Sequence, residues 1–417
     1  MVYPLFAAMQ IKFIFIFIIF QAAVCSAQDT LQFMSYNLLN YYSSAQDSAT
    51  RNPYFRVTIA ATNPDIITAQ EIVSESSSLG FLNSVLKKVD TNYRAAPYIP
   101  GPDTNNSLYF LSNKYSCNSN AAIHTALRDI NHFTVVHLQT NDTVHVFVVH
   151  LKSSSGTVEE ATRLAEVNDL RLITDAFPAG TSFIICGDFN IYSSSEPAYQ
   201  KLKEISGTNE GHVIDPLNLT GAWNNSSYAQ YHTQSPRTRS FGGGVTGGLD
   251  DRFDMILFSN SINTNGPLQY IPNSTIAYGN DGNHFNDSIN QQPNTAVSLT
   301  VANALHYGAD HIPVLAKFVF VNGWANGSNN EFEILDFRFQ ILPNPARGQF
   351  IVESKLLAEC RTSKESTLVI YDLVGKKILS SQFIGKKTIS LETISAGIYF
   401  VQIIDGEKRA TGKLVVE

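Results

Sequence analysis

The feature that most constrains the fold is a series of short apolar runs that alternate with stretches of helical periodicity, as far as about Phe320. The apolar runs are rich in β-branched and aromatic residues, which is typical of strands. They are LQFMSYNLL, DIITAQEI, SLYFLSN, FTVVHLQT, VHVFVVHLKS, SFIICGDFN, RFDMILFS and IPVLAKFVF. Helical spacing is found in NPYFRVTIAATN, SLGFLNSVLKKVD and TVEEATRLAEVNDLRLITDAFP, the last with Leu164, Val167, Leu170 and Ile173 on one face. Strands and helices mixed in this way predict a layered α/β domain, here over residues 28–320.

The pattern changes after Phe320. Residues 321–336 are rich in Gly and Asn and predict a linker. From Phe337 to Glu417, short strand-like runs are separated by the turns GKK, SAG and DGEK, which predicts a small all-β sandwich over 337–417. A carbohydrate-binding or adhesive sandwich is one alternative for this module, although no aromatic platform for a sugar is evident.

The N-terminus has the composition of a secretory signal peptide. Lys12 precedes the run FIFIFIIF, and small residues follow up to Ala27, so we expect residues 1–27 to be removed. Lipidation at Cys25 is the competing interpretation, but Val24 fits a lipoprotein signal poorly. The apolar run is short for a bilayer span, and we expect no stable membrane insertion after cleavage. The remaining cysteines, Cys117, Cys186 and Cys360, show no disulfide or zinc spacing.

The formal net charge is -7, which argues against a protein that binds nucleic acid by bulk electrostatics. It does not exclude a nucleic-acid substrate, because an enzyme can use a local basic patch and metal ions instead.

Groups able to bind a metal or transfer a proton stand at the ends of six predicted strands. They are Asn37, Glu71, His150, the pair Asp188 and Asn190, Asp254, and the pair Asp310 and His311. Each has an ordinary alternative as a turn, cap or solvent-facing residue. Six such strand ends in one chain favour a functional site built from these groups over six incidental residues.

In chain order, the segments SYNLLN, PDIITAQE, VVHLKS, ICGDFN, DRFDMIL and ADHIPV resemble the motifs of the endonuclease/exonuclease/phosphatase superfamily of deoxyribonuclease-like, metal-dependent phosphoesterases. The resemblance extends over about Leu31 to Phe320. It implies a four-layered α/β sandwich of two packed β-sheets flanked by helices, with the site at one end of the sheets.

The resemblance also implies a metal site. Glu71, with Asn37 beside it and Asp310 opposite, would hold Mg²⁺, which prefers carboxylate and amide oxygens. Mn²⁺ could replace Mg²⁺, and Ca²⁺ could act as a structural or assisting ion.

The same resemblance implies roles for the other groups. Asp188 would be the general base, with Asn190 bound to the phosphate or the nucleophile. His311 would contact the phosphate, and Asp254 would hold its ring in one tautomer. His150 would be a second phosphate-facing histidine.

Arg128, in ALRDINHFTVV, is a further candidate for binding phosphate, and a solvated surface arginine is the alternative. One departure from the family pattern is Asn113, which stands where a basic residue is expected. Tyr109 in the same segment is as consistent with core packing as with a site role. This departure leaves the substrate more open than the reaction.

Two loops would govern substrate specificity. Tyr231–Asp251 carries Arg237 and Arg239 beside a Gly-rich tract, which suits either approach to a phosphate backbone or a plain flexible loop. Ala277–Asn294 is dense in Asn and Asp and contains His284, so it would either bind a structural cation or make Asx turns.

The C-terminal segments ILPNPARGQF, YDLVGKK, ISAGIYFV and KLVV resemble the type A sorting domain of the type IX secretion system in Bacteroidetes. This resemblance implies contact with that machinery and passage through the periplasm and outer membrane to a secreted or cell-surface location.

These observations predict a secreted, Mg²⁺-dependent phosphoric ester hydrolase that acts as a monomeric extracellular endonuclease on DNA or RNA. A phosphatase or a sphingomyelinase-like phospholipid phosphodiesterase on the same fold is the alternative. A third possibility is a non-catalytic surface-binding protein.

Overall fold

The structure is a computed structural model that describes residues 29–240, 242–264, 266–321, 338–355, 366–372, 376–384, 386–405 and 408–417. The predicted signal peptide (1–27) and nearly all of the predicted linker (321–336) lie outside the described residues. The chain divides into two compact units, Met1–Ala325 and Asn326–Glu417.

The larger unit contains thirteen strands and seven α-helices in its described part. The strands are β1 (Thr30–Tyr41), β2 (Ile66–Ile72), β3 (Tyr93–Ala95), β4 (Asn105–Leu111), β5 (Tyr115–Ile123), β6 (Ile130–His137), β7 (Thr143–His150), β8 (Phe183–Asp188), β9 (Val213–Ile214), β10 (Asp254–Ser259), β11 (Leu268–Tyr270), β12 (Ile276–Ala277) and β13 (Val314–Phe320). The helices are α1 (Asn52–Thr62), α2 (Glu75–Phe81), α3 (Lys87–Val89), α4 (Thr157–Thr174), α5 (Pro197–Lys203), α6 (Asn260–Asn263) and α7 (Leu299–Gly308). Shorter helical turns cover Asp47–Arg51, Leu82–Leu86 and Ser226–Tyr231.

The strands form two sheets. The first has the order β11-β13-β1-β2-β4-β3 with β12 also paired to β13, and the second has the order β5-β6-β7-β8-β10-β9. Two pairs are parallel, β1 with β2 and β7 with β8, because α1 and α4 form their crossover connections. Each of the eight predicted apolar runs contains a strand. The shorter strands β3, β9, β11 and β12, and the polar strand β5, were not predicted.

The sheets pack against each other through an apolar layer to which both contribute, including Phe33 and Phe318 from the first and Val146 and Ile184 from the second. Alternate residues of the same strands point outward. Helices α1 and α2 cover the outer face of the first sheet, and α4 and α5 cover that of the second. This arrangement confirms the predicted four-layered α/β sandwich.

Helix α4 buries a different face from the predicted one. Val167 and Leu170 are buried as expected, but Ile173 is 39% exposed. Arg163 and Arg171 are buried instead. Arg163 is paired with the carboxylate of Glu196, and Arg171 donates to backbone carbonyls at the end of α5. The helix therefore packs partly through buried, paired arginines, which a search for apolar periodicity does not detect.

The smaller unit is all-β, as predicted. Its strands are β14 (Arg338–Arg347), β15 (Gln349–Lys355), β16 (Ser366–Tyr371), β17 (Lys377–Phe383), β18 (Lys386–Ser390), β19 (Gly397–Asp405) and β20 (Lys408–Val416), in the order β17-β16-β19-β20-β14-β15-β18. Its core includes Phe350, Leu368, Val401 and Leu414. Among the helices of the described ranges, none is long and apolar enough to cross a membrane.

Candidate active site

The strand pairing of the larger unit brings the predicted site residues to one end of both sheets. In the second sheet, Asp188 lies directly opposite His150 of β7 and Asp254 of β10. In the first sheet, Asn37 of β1 pairs with Gln70, the neighbour of Glu71. Because β1, β2, β7 and β8 end at this edge while β10 begins there, the topology itself gathers the polar groups.

These residues surround an open cleft of about 480 Å³. Seven of the nine predicted site residues line it: Glu71, Arg128, His150, Asp188, Asn190, Asp310 and His311. The other two lie behind this lining, since Asn37 contacts Glu71 and Asp188, and Asp254 contacts His311. The structure therefore brings all nine together, and their roles remain predictions.

Glu71 is held in an unusual backbone conformation. Its φ is 59°, and the pairing of β2 with β4 shifts register between Ala69 and Ile72. Its Oε1 accepts a hydrogen bond from Asn37 Nδ2 at 3.0 Å, and its Oε2 accepts one from the backbone N–H of Asn40 at 2.8 Å. The irregular strand end therefore turns the carboxylate into the cleft and holds it there.

Asn37 acts as a donor in this arrangement. Its Nδ2 also lies 3.2 Å from Asp188 Oδ2, and its Oδ1 accepts from the N–H of Leu39 at 3.0 Å. The amide nitrogen thus bridges the carboxylates of Glu71 and Asp188. In these contacts Asn37 positions Glu71, while its role as a metal ligand stays a prediction.

Asp310 is a second carboxylate of the cleft and is buried, whereas Glu71 is half-buried. Its Oδ2 accepts from the N–H of Val245 at 2.7 Å, while its Oδ1 is buried without a hydrogen-bond partner among the described residues. Burial raises the pKa of Glu71, and the charge of Asp310 raises it further. A divalent cation such as Mg²⁺ prefers hard carboxylate oxygens, and the Oδ1 of Asp310 without a partner is such a ligand, so Glu71 and Asp310 fit this ion.

His311 lies between two carboxylates. Its Nδ1 is 2.7 Å from Asp254 Oδ2, its Nε2 is 3.6 Å from Asp188 Oδ2, and the side-chain amide of Gln234 is 2.6 Å from Nε2. Burial alone would lower the pKa of His311, but Asp254 and Asp188 outweigh burial and raise this pKa well above its usual value. The two carboxylates therefore favour the protonated form of His311.

The ligand atoms of Asp188, Asp254 and His311 lie within 4.8 Å of one another, a spacing that would also suit a metal ion. An imidazolium has no free lone pair for a metal, and its charge already offsets the carboxylates. This chemistry favours Glu71 and Asp310 over the cluster as the cation ligands, and both the location of the cation and the roles of the cluster stay predictions.

Asp188 has the environment of a general base. Burial raises its pKa to about 7, the charge of His311 opposes that rise, and the charges of Asp254 and Glu71 add to it. Its Oδ1 accepts from the N–H of Asn190 at 3.0 Å, so the strand ends in a turn that also fixes the carboxylate. A pKa near neutrality suits a group that exchanges protons at physiological pH.

His150 and Arg128 form one wall of the cleft. His150 Nε2 lies 3.7 Å from Asp188 Oδ2, and burial, followed by the charges of Arg128 and His311, lowers the pKa of His150 well below its usual value. His150 is therefore neutral at pH 7. Arg128 donates to the carbonyls of His150 and Leu151 at 3.0 and 3.1 Å, and its side chain is only 13% exposed. It is not the solvated surface arginine considered above.

Several lining residues had no predictive pattern in the sequence. Gln234, Val245 and Asp251 reach the cleft from the loop Tyr231–Asp251. Burial raises the pKa of Asp251 to about 6, and the neighbouring Asp250 contributes. Arg237 of the same loop is buried at 1% exposure and donates to the carbonyl of Gly243, so it packs beneath the Gly-rich tract.

Gly244 is a glycine of that tract whose place beside the site has a clear structural reason. Its φ is 81°, and a Cβ there would lie 2.6 Å from Asp310 Oδ2. The loop can therefore approach Asp310 only without a side chain at this position.

The loop Ala277–Asn294 makes Asx turns. Asp281 Oδ1 accepts from the N–H of Asn283 at 3.0 Å and faces His284 Nδ1 at 2.8 Å, and Asp281 Oδ2 accepts from the N–H of Thr295 at 2.8 Å. The carboxylate is fully used within the loop, which favours the turn interpretation over the cation site.

Comparison with protein families gives two matches. Residues 34–311 match the Endonuclease/Exonuclease/phosphatase family, and residues 340–417 match the Secretion system C-terminal sorting domain. No curated protein matches the chain.

Three solved structures illustrate the likeness of fold. D. rerio TDP2 complexed with a single-strand DNA product is 14% identical, with a TM-score of 0.46, over 69% of this chain and 98% of that one. The human Nocturnin catalytic domain with bound sulfate is 16% identical, with a TM-score of 0.44, over 70% and 98%. An endonuclease/exonuclease/phosphatase from Beutenbergia cavernae is 12% identical, with a TM-score of 0.44, over 92% and 100%.

Proposed function

This chain belongs to the Endonuclease/Exonuclease/phosphatase family, and from that premise we propose that it is a secreted, divalent-metal-dependent phosphodiesterase that hydrolyses nucleic acid as an endonuclease. The observation that carries the proposal is a single cleft lined by the carboxylates of Glu71 and Asp310 and by Asp188 and His311, with Asp254 in contact with His311 behind the lining. Hydrolysis of a phosphodiester needs charge neutralisation, an activated water and a fixed geometry, and this cleft contains groups suited to each.

Glu71 and Asp310 would hold the cation, with Mg²⁺ first and Mn²⁺ as a substitute, while Ca²⁺ would assist or support the structure. When bound, the ion would neutralise charge on the phosphoryl oxygens and stabilise the departing oxyanion. Asn37 keeps Glu71 in place through its 3.0 Å hydrogen bond.

Asp188 would take a proton from the attacking water, since its pKa of about 7 leaves it partly ionised at neutral pH. His311, as an imidazolium, would contact a phosphate oxygen, and Asp254 keeps that ring oriented and charged. Asn190 and the neutral His150 would donate hydrogen bonds to the phosphate or the water.

Residues 340–417 support export, because they match a sorting domain of a secretion system. We propose that the type IX machinery recognises this module, and that the enzyme acts as a monomer outside a Bacteroidetes-like cell or at its surface. The scavenging of nucleotides or phosphate from extracellular DNA or RNA would be the corresponding role.

The test uses the chain without its proposed signal peptide, residues 28–417, incubated with supercoiled plasmid, RNA or bis-p-nitrophenyl phosphate, in Mg²⁺ or in EDTA. Asp188→Ala and His311→Ala should each reduce the rate by roughly 10²–10⁴. Asp169→Ala is the matched control, because Asp169 lies on α4 and outside the cleft lining.

Metal-dependent nicking that both site variants lose would support the proposal. Turnover of the small diester without cleavage of nucleic acid would reject the nuclease and favour the phosphatase or the phospholipid phosphodiesterase. No turnover of any substrate would favour the non-catalytic binding protein.

A further inference from the structure

A second cavity adjoins the catalytic cleft. It has a volume of about 740 Å³, and we call it the tyrosine cavity because Tyr42, Tyr54 and Tyr307 line it together with Asn40 and Gly242–Gly244. Asn40 lines both the cavity and the cleft, and its N–H donates to Glu71 Oε2 at 2.8 Å. Gly244 faces the cavity and the next residue, Val245, faces the cleft. The tyrosine cavity therefore lies next to the proposed metal site.

Aromatic rings form one side of the tyrosine cavity. Tyr54 of α1 and Tyr307 of α7 are stacked, with ring centroids 5.2 Å apart and planes 30° apart, and both are partly accessible. Tyr42 is 60% exposed. Flat, partly accessible rings of this kind bind other flat rings by stacking.

Two cationic side chains line the cavity, and both have partners. Arg51 forms an ion pair with Asp47 at 2.9 Å and donates to the carbonyls of Leu38 and Gly308. Arg237 donates to the carbonyl of Gly243, and the charge of Asp310 acts on its guanidinium. The Gly242–Gly244 segment adds backbone without side chains, which leaves room for close approach of a ligand. The cavity therefore offers a planar group aromatic rings and open backbone beside two partnered arginines.

We propose that the tyrosine cavity binds the base of a nucleotide that neighbours the scissile phosphate. This inference rests on the proposed nuclease function, and it names how the substrate is held. A chain of net charge -7 gains no bulk electrostatic attraction for a polyanion, so affinity has to come from local contacts, and stacking adds to those of the proposed metal site. The cavity volume is within the range of small-molecule sites, about 300–1,000 Å³. Because every base has a flat π-face, such a subsite accepts DNA or RNA of any sequence.

The test uses residues 28–417 and compares kcat/KM for a short single-stranded oligodeoxynucleotide with kcat/KM for bis-p-nitrophenyl phosphate, which has no base. The ratio of the two should fall by roughly 5- to 150-fold in Tyr54→Ala and in Tyr307→Ala, the range expected for loss of one stacked base. Tyr54→Phe and Tyr307→Phe, which keep the ring, should retain the wild-type ratio. Tyr42→Ala tests the same surface at an exposed position, where truncation does not endanger folding.

A second experiment probes the substrate. An abasic nucleotide placed in turn on each side of the cleaved bond should lower kcat/KM on one side by a factor similar to that of Tyr54→Ala. The two changes combined should cost little more than either alone, since both remove the same contact.

Unchanged ratios in all three alanine variants, with active wild-type enzyme, would overturn the nucleobase subsite and leave the proposed function intact. Fully multiplicative losses from the abasic nucleotide and Tyr54→Ala would also overturn it. A wild-type enzyme that cleaves neither the oligonucleotide nor plasmid DNA nor RNA would instead overturn the proposed function and this inference with it.

Discussion

Replacement of Asp254 by asparagine should move the pH–rate profile to lower pH. The Asp254 carboxylate lies 2.7 Å from His311 Nδ1, and asparagine retains a side-chain oxygen that can accept the same hydrogen bond. The variant therefore removes a negative charge while it preserves the tautomer and orientation of the ring.

The size of the shift follows from that contact. Burial alone would lower the pKa of His311, and Asp254 is the largest influence that raises it. A hydrogen bond to a charged group contributes about 1.5–3 kcal/mol, and about 1.36 kcal/mol corresponds to one pH unit, so the pKa of His311 should fall by roughly one to two pH units. The charge of Asp254 also raises the pKa of Asp188, through space only, so this pKa should fall by less.

In the proposed mechanism, activity needs ionised Asp188 and protonated His311, which predicts a bell-shaped profile. The acidic limb reports Asp188, because activity is lost as the pH falls through its pKa, and the basic limb reports His311, because activity is lost as the pH rises through its pKa. In Asp254→Asn the basic limb should move down further than the acidic limb. The bell should therefore narrow, and its optimum should shift to lower pH.

The assay is kcat/KM for bis-p-nitrophenyl phosphate from pH 5 to 9.5 at saturating Mg²⁺, with His311→Ala as a control that should lose the basic limb. A uniform loss of rate with an unchanged profile would refute the charge argument and leave Asp254 a purely orienting role. An optimum displaced to higher pH would refute the assignment of the two limbs.

Three further predictions concern the metal site and the fold. Gly244→Ala should abolish most activity, because its Cβ would lie 2.6 Å from Asp310 Oδ2. Gly242→Ala is the control and should keep most activity, because Gly242 also has a positive φ but a Cβ there would meet no atom within 4 Å. Equal loss of activity in both variants would refute the clash with Asp310. Glu71→Gln should raise the Mg²⁺ concentration for half-maximal rate at least tenfold, measured by titration from EDTA-treated enzyme, and an unchanged midpoint would remove Glu71 from the metal site. Arg252→Met should lower the free energy of unfolding in urea by about 3–5 kcal/mol, because the buried carboxylate of Asp215 would lose its two 2.9 Å contacts with Arg252. A loss under about 1 kcal/mol would show that this ion pair is dispensable for stability.

The strand framework could be predicted from the sequence because buried strands carry a local pattern of apolar, β-branched and aromatic residues. Polar groups at the strand ends, such as Asp188, could be predicted to converge, since parallel neighbours end at one edge of a sheet. The pairing of Asp254 with His311 was implied by the family resemblance, and the structure places the two side chains in contact.

Other parts of the site depend on contacts between distant segments, which no local pattern encodes. Gln234 and Val245 enter the cleft because the loop Tyr231–Asp251 folds back over it, and the need for glycine at 244 is visible only once Asp310 lies beside it. On α4, Arg163 is buried because Glu196, 33 positions away, neutralises it. A polar side chain can be buried only where it finds a hydrogen-bond or charge partner, and the tertiary fold brings that partner from elsewhere in the chain.

The site draws on both sheets, and this has a consequence for how activity can be used. Glu71 comes from the first sheet, while Asp188 and Asp254 come from the second, so neither sheet alone contains the whole site. A compact refolding intermediate with native-like strands but undocked sheets would give nearly the native far-ultraviolet circular dichroism and no hydrolysis. The rate at which hydrolysis of a chromogenic diester appears during refolding therefore measures the docking of the two sheets. The recovery of circular dichroism measures the formation of secondary structure separately.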